Sequence, residues 1–219
     1  LGFVTPIKEI IKIAHAYGAI VVVDGAQAIQ HMLVNVKDLD ADFYAFSGHK
    51  MLGPTGIGVL YGKFDLLDAM DPIEFGGDMA LDVMKHQFSW KETPIKFEAG
   101  TMPIAEAIAL GEAVRYLKNL SFTTMHQHSV PLYDQLMKTF NDIDEIELYN
   151  HHSDTLIFTF NIKGVPSHDA ITFFAEKNIA LRAGQHCAQL VHDFLGINSS
   201  LRGTIYFYNT EEDVTLLIE

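Results

Sequence analysis

Ala19-Ile20-Val21-Val22-Val23-Asp24-Gly25 decides the fold. Five consecutive apolar residues, most of them β-branched, predict a strand covered on both faces, as in a parallel sheet. Asp24-Gly25 then ends it in a turn. Upstream, Thr5-Pro6 reads as an N-cap and first turn. Ile7, Ile10, Ile11, Ala14 and Tyr17 follow at helical spacing until Gly18 closes the helix. Downstream, Ala41 to Phe46 reads as a second strand running into the polar turn Ser47-Gly48-His49-Lys50, and Gly58 to Tyr61 reads as a third. Helix and strand alternate, so the class is α/β with a mainly parallel sheet. Ligands in such sheets sit at the carboxyl ends of strands, where Asp24 and the Ser47 to Lys50 turn both fall.

Residues 65 to 98 read as irregular, punctuated by Pro72, Gly76, Gly77 and Pro94. Ile104 to Leu117 resumes a helical stripe through Ile108, Val114 and Leu117, read as core. A domain change is expected near Leu117 to Ser121, dividing residues 1–117 from residues 118–219, a compact α+β unit. In the second, a helix from Thr123 to Phe140 contains Pro131, which should kink it. Leu156 to Ile162, Ile179 to Arg182 and Gly203 to Tyr208 read as strands, Ser167 to Lys177 as a helix, and Thr210 with Asp213 as the cap of a final helix.

Composition narrows the function classes. Fifteen basic against 28 acidic residues give a net charge of −13, which repels phosphate backbones and anionic lipid, so neither nucleic acid nor membrane is an expected partner. Apolar runs fall well short of the roughly 18 to 20 residues that span a bilayer. The single cysteine, Cys187, cannot close an intramolecular disulfide, and the expected location is cytoplasmic.

Lys50, on a tight turn after a buried strand, is either an ordinary solvated amine or one desolvated enough for Schiff-base chemistry. Asp24 is either a turn cap or the counter-charge of a protonated cofactor ring. Cys187 is either a small buried hydrophobe or a nucleophile. His126, His128, His151 and His152 lack the spacing of a metal site, and no metal is assigned.

Val23-Asp24-Gly25-Ala26-Gln27-Ala28 followed by Ser47-Gly48-His49-Lys50, with Lys50 placed 26 positions after Asp24, resembles the fold-type-I pyridoxal-phosphate enzymes of aminotransferase class V. Two further segments narrow the resemblance to group II cysteine desulfurases and selenocysteine lyases. They are Arg182-Ala183-Gly184-Gln185-His186-Cys187-Ala188, and Arg202 ahead of Tyr208-Asn209-Thr210. The resemblance implies pyridoxal 5′-phosphate tethered by Lys50, which also moves the substrate Cα proton. It implies Asp24 at the pyridine nitrogen, Gln27 at the phenolic oxygen, and Ser47 and His49 at the phosphate. Thr101 would reach the phosphate of a second subunit, making a homodimer. Arg202, assisted by Arg182, would bind the substrate carboxylate. Cys187 would take sulfur from L-cysteine as a persulfide, leaving L-alanine, with His186 shifting the thiol toward thiolate. The expected partner is a sulfur-acceptor protein of iron–sulfur cluster assembly. The alternatives are a selenocysteine lyase or related class V lyase, or a non-catalytic fragment that binds no cofactor. Leu190 replaces a usual proline, Arg202-Gly203-Thr204 a usual Arg-Ala-Ser, and Thr101-Met102-Pro103 varies the phosphate loop. Members of the family carry well over a hundred further residues before the position of Leu1. The chain is therefore expected to be part of a longer protein, with weak or no activity alone.

Overall fold

Pro6 and Gly18 bracket the first helix, α1 (Ile7–Ala16), for different reasons. Proline enters helical backbone at little cost, and it is Pro6 rather than Thr5 that occupies the N-cap position. Gly18, at φ 71°, adopts a left-handed conformation that lets its amide donate to the His15 carbonyl at 3.0 Å. The computed structural model describes residues 1–219. They form two compact units, Thr5–Asn119 in one and Leu120–Glu219 together with Leu1–Val4 in the other.

In the first unit, β1 (Val22–Asp24) starts later than the apolar run. Val23 packs with Ile11, Ala41 and Tyr44, whereas Ile20 and Val22 are 59% and 66% exposed. Side chains alternate along a strand, and α1 covers only one face, so the expected two-sided burial of this strand does not hold within the chain. Helix α2 (Val36–Leu39) is capped by Asn35, whose Oδ1 accepts from the amides of Lys37 and Asp38 at 3.1 and 3.2 Å. Strand β2 (Phe43–Ser47) runs parallel to β1, with Asp24 opposite Ala45. Strand β3 (Gly58–Gly62) pairs antiparallel to β2, with Ser47 opposite Gly58. The link from β2 to β3 is too short for the crossover that a parallel return requires, so only the β1–β2 pairing is parallel.

Asp42, just before β2, ties the other ends of these strands together. Its carboxylate accepts from the Val21 amide at 2.7 Å and pairs with His15 Nε2 and Lys63 Nζ, each at 2.8 Å. Lys63 also reaches Asp40 at 2.7 Å.

Helix α3 (Phe64–Ala69) and the hairpin of β4 (Ala80–Val83) and β5 (Phe88–Trp90) occupy much of the stretch expected to be irregular. Tilted ring contacts steady the hairpin, with Trp90 4.5 Å from Phe88 and 5.4 Å from Phe75 between centroids. A short 3₁₀ turn at Ile95–Phe97 leads to α4 (Ile104–Leu120). The buried face of α4 carries Leu110, Ala113 and Leu117, while Ile108 is 67% exposed, which corrects the expected stripe.

The second unit packs α5 (Phe122–Asn141), with Pro131 inside it, against a four-stranded antiparallel sheet in the order β6-β7-β9-β8. The strands are β6 (Ile146–Leu148), β7 (Ile157–Ile162), β8 (Arg182–Gly184) and β9 (Ser200–Thr204). The remaining helices are α6 (Ser167–Glu176), α7 (Gln189–Leu195) and α8 (Glu211–Ile218). Leu136, Phe140, Phe158, Phe160, Leu201 and Val214 form the centre of the core. A Cβ at Gly203 would lie 2.1 Å from Phe158 Cζ, so only glycine lets β9 pass this ring. Thr210 and Asp213 form the expected capping box. Two strands sit elsewhere than expected. Ile179 and Leu181 pack on the core before β8 begins, and β9 ends at Thr204, after which the Tyr206 amide bonds Asn209 Oδ1 at 2.9 Å in a turn. Strand β6 and helix α7 were not expected. No helix is long and apolar enough to cross a membrane.

Asp42→Asn should destabilise the first unit by about 3 kcal/mol in denaturant unfolding near pH 7, because it leaves Lys63 and His15 short of their shared acceptor. Burial alone would raise the Asp42 pKa. Hydrogen bonds from Lys63, the Val21 amide and His15 outweigh burial and hold the carboxyl well below the usual carboxylate range. Its stabilisation is therefore full above the unfolded carboxyl's pKa of ~3.9 and shrinks as pH falls below that value. The gap between wild type and variant should narrow in parallel.

Candidate active site

The parallel register sets the first cluster of candidate residues. With Asp24 beside Ala45, the chain leaves β1 and β2 at one edge of the sheet, so Asp24 stands next to the start of the Ser47–Lys50 turn. Asp24 Oδ1 accepts from the Ala26 amide at 2.9 Å, and the Gly25 amide donates to the Ala45 carbonyl at 2.8 Å. Gly25 is required sterically, since a Cβ there would fall 2.0 Å from Tyr44 Cζ. Tyr44 is buried with its hydroxyl unpartnered, and burial together with the charge of Asp24 raises its pKa. Gln27 Oε1 accepts from Gln30 Nε2 at 3.1 Å, which leaves the exposed Gln27 amide NH₂ as a donor.

Lys50 lies in a 3₁₀ turn, Gly48–Met51, that is locked on both sides. The Gly48 amide donates to the Ile57 carbonyl and the Gly53 amide to the Gly48 carbonyl, each at 2.9 Å. Ser47 holds the N-cap position, yet its side chain makes no capping bond. Lys50 is half-buried and forms no ion pair, and His49 is exposed. Thr101 is exposed just ahead of α4, following Gly100 at φ 83°, and no hydrogen bond joins it to the residues above.

The second cluster lies in the other unit. Arg182 on β8 stands directly opposite Arg202 on β9, and neither guanidinium has a carboxylate partner. Burial, then the like charge of Arg182, lowers the Arg202 pKa. Cys187 is exposed, and Arg182 Nη2 lies 3.8 Å from its Sγ. Gln185 to Ala188 form a β-turn closed by the Ala188 amide donating to the Gln185 carbonyl at 2.8 Å. Its two central residues are left-handed, with His186 at φ 54° and Cys187 at φ 60°. Asn and Gly normally fill such positions, and each side chain with a Cβ costs on the order of 1–2 kcal/mol there.

His186 does not face the thiol. Its Nε2 lies 3.0 Å from the Ser200 carbonyl and 3.1 Å from Ser200 Oγ, and no hydrogen bond connects it to Cys187. Burial, and then the charge of Arg202, push its pKa down to about 4, so the ring is neutral at pH 7. The cation beside the thiol is thus Arg182, which corrects the expectation that His186 activates Cys187. Ser200 and His192, both buried, were missed in the sequence, as was Tyr44. The one signal available was alternation, since Ser200 lies two residues before Arg202. No group of three or more His, Cys, Asp or Glu side chains is gathered to hold a metal ion.

Proton NMR of the His186 ring should show no titration step between pH 8 and about 5.5 and a midpoint near 4. In Arg202→Gln the midpoint should rise, because a like charge that penalises the imidazolium is removed.

Comparison with known proteins gives the family. Residues 1–217 match the family model of aminotransferase class-V. A probable cysteine desulfurase of Staphylococcus epidermidis is 48% identical over 93% of this chain, which covers 50% of that protein. The crystal structure of the cysteine desulfurase CsdA (S-sulfonic acid) from Escherichia coli superposes with a TM-score of 0.95 at 40% identity, over 99% of this chain and 54% of CsdA. The apo cysteine desulfurase from Thermococcus onnurineus NA1 gives a TM-score of 0.93 at 37% identity, over 100% of this chain and 55% of that one. The chain spans about half the length of the curated relatives it matches. With nearly its whole length matched, the chain belongs to the aminotransferase class-V family.

Proposed function

We propose that this chain is the C-terminal part of a pyridoxal-phosphate-dependent cysteine desulfurase. Residues 1–117 would be cofactor-binding and residues 118–219 the small domain that carries the sulfur-accepting thiol. The observation that carries this reading is Cys187, exposed on a strained turn 3.8 Å from Arg182, beside a second arginine with no carboxylate partner. Structural burial does not explain such a cysteine, and two unpaired guanidiniums suit an anionic substrate. Relatives at 37% to 48% identity bear the name cysteine desulfurase.

The donors around Lys50 fit pyridoxal phosphate. An amine without an ion pair, a carboxylate at the strand end, the uncommitted Ser47 hydroxyl, the exposed ring of His49 and the free Gln27 amide match an aldehyde, a pyridinium nitrogen, a phosphate and a phenolic oxygen in chemical type. When bound, the cofactor supplies the electron sink that weakens the bonds at the substrate Cα and Cβ. Lys50 would tether it and move the substrate Cα proton, and Asp24 would face the ring nitrogen and keep it protonated. Arg202, with Arg182, orients the substrate carboxylate. Cys187 Sγ forms an S–S bond to the substrate sulfur as the C–S bond breaks, leaving a persulfide and, after proton return, L-alanine. Exposure of Cys187 suits onward transfer to a sulfur-acceptor protein of iron–sulfur cluster assembly. Thr101, on an exposed loop, suits contact with the phosphate bound by a second subunit of a homodimer. A lone thiol suits the reducing cytoplasm.

Incubation with pyridoxal phosphate followed by borohydride should place a pyridoxyl group on Lys50 by peptide mass spectrometry, and Lys50→Ala should remove it. In the full-length protein, Cys187→Ala should keep that label and lose the persulfide formed from cysteine, whereas Arg202→Ala should raise KM for cysteine at least about tenfold. A persulfide undiminished in Cys187→Ala would overturn the assignment.

A further inference from the structure

We propose that Ser200, gripped by the rings of His186 and His192, is the positioning residue that holds the Cys187 turn in its sulfur-accepting conformation. This inference rests on the reading of Cys187 as the sulfur acceptor.

Protons in the cluster can be assigned from its carbonyl partners. His192 Nδ1 lies 3.1 Å from the Ala188 carbonyl, which can only accept, so Nδ1 carries a proton, and in the neutral ring Nε2 is left with the lone pair. The Ser200 hydroxyl, 2.9 Å from that Nε2, therefore donates to it. His186 Nε2 faces the Ser200 carbonyl at 3.0 Å, so it is the donor there, shared with Ser200 Oγ at 3.1 Å. Ser200 thus accepts from one imidazole and donates to the other. The outcome is a clamp on both flanks of the thiol. His186 precedes Cys187, Ala188 follows it, and each is tied to β9 through Ser200, which is fully buried.

The clamp has a reason to exist. Two consecutive left-handed residues with side chains will relax to another backbone conformation unless the surroundings over-determine them. The turn's own hydrogen bond, from the Ala188 amide to the Gln185 carbonyl, spans these strained residues without fixing them to the sheet. The His186 and His192 links do that, along with a longer bond of 3.4 Å from Gln185 Nε2 to the Asn198 carbonyl and the 3.8 Å contact of Arg182 Nη2 with Cys187 Sγ, while the Val191 amide holds the Ala188 carbonyl to α7 at 3.1 Å. Arg182 is set independently by its pairing with β9, so keeping Sγ beside it requires the turn, not the strand, to be held.

Two breaking variants and one rescuing variant test this. Ser200→Ala removes the hydroxyl. His192→Met removes the acceptor at similar bulk. His192→Gln keeps a carbonyl oxygen able to accept from Ser200. Hydrogen exchange of the Ala188 amide should speed at least about tenfold in Ser200→Ala and His192→Met, with the amides of Phe158 and Phe160 unchanged. In the full-length protein the kcat for persulfide formation should fall about tenfold with KM for cysteine within about twofold, and His192→Gln should restore both readouts. Unchanged Ala188 exchange in Ser200→Ala would overturn the clamp, as would equal acceleration at Phe158 and Phe160, which would reduce Ser200 to core packing. Failure of His192→Gln to rescue would also overturn it. Absence of any persulfide in the wild-type full-length protein would defeat the desulfurase reading instead, and Ala188 exchange would still decide the clamp.

Discussion

The bond from the Val21 amide to the Asp42 carboxylate fixes β1 against β2 at their N-terminal ends, and what emerges at the opposite ends follows from it. Side chains alternate along a strand, so a slip of one residue would turn Val23 out of the core and move Asp24 away from Ala45. Lys63, at the end of β3, binds the same carboxylate and so fastens the antiparallel strand into the same arrangement. A polar cluster at one edge of a three-stranded sheet thereby sets the positions of Asp24 and the Lys50 turn at the other. The separation is useful. Strong, well-satisfied ion pairs at the far edge leave Lys50 and Ser47 with no structural obligations of their own.

The second unit solves a different problem. Its core is aromatic and ordinary, with Phe140, Phe158 and Phe160 in contact, and it could hold a relaxed turn at residues 185 to 188 with no special device. Instead the turn is strained at two consecutive residues and tied down by side chains. Strain of this kind persists where the surroundings force it, and it gathers where a side chain must be presented in one direction.

Much of the fold was legible because it depends on local signals. The first helix, the strand ending in Asp24-Gly25, the turn at Lys50 and the Thr210–Asp213 cap all rest on residues within one or two turns of each other. Features that depend on distant pairing were not legible. Strand β8 begins at Arg182 and not at Ile179 because its partner is Ser200 to Arg202. The hairpin at Ala80 to Trp90 draws on ring contacts among Phe75, Phe88 and Trp90 that no alternation reveals. His186 is the instructive case. Adjacency to Cys187 in sequence suggests an imidazole acting on a thiol, but the left-handed turn sends the ring to a serine fourteen residues away. The roles of Ser200 and His192 exist only through that turn and were invisible for the same reason.

Charge supplies the last step. The chain as a whole carries −13, yet Arg182 and Arg202 face each other across adjacent strands without a carboxylate between them. Like charges opposite one another on a sheet are unfavourable, and burial makes Arg202 harder still to keep charged. In a protein so rich in Asp and Glu, a compensating carboxylate would be easy to place, and its absence leaves the repulsion to be relieved by whatever anion arrives. On the proposed reading that anion is the substrate carboxylate. On the same reading, selectivity for a small anionic substrate would come from the contrast between this pair of arginines and the net charge of −13 as much as from the contacts at the pair itself.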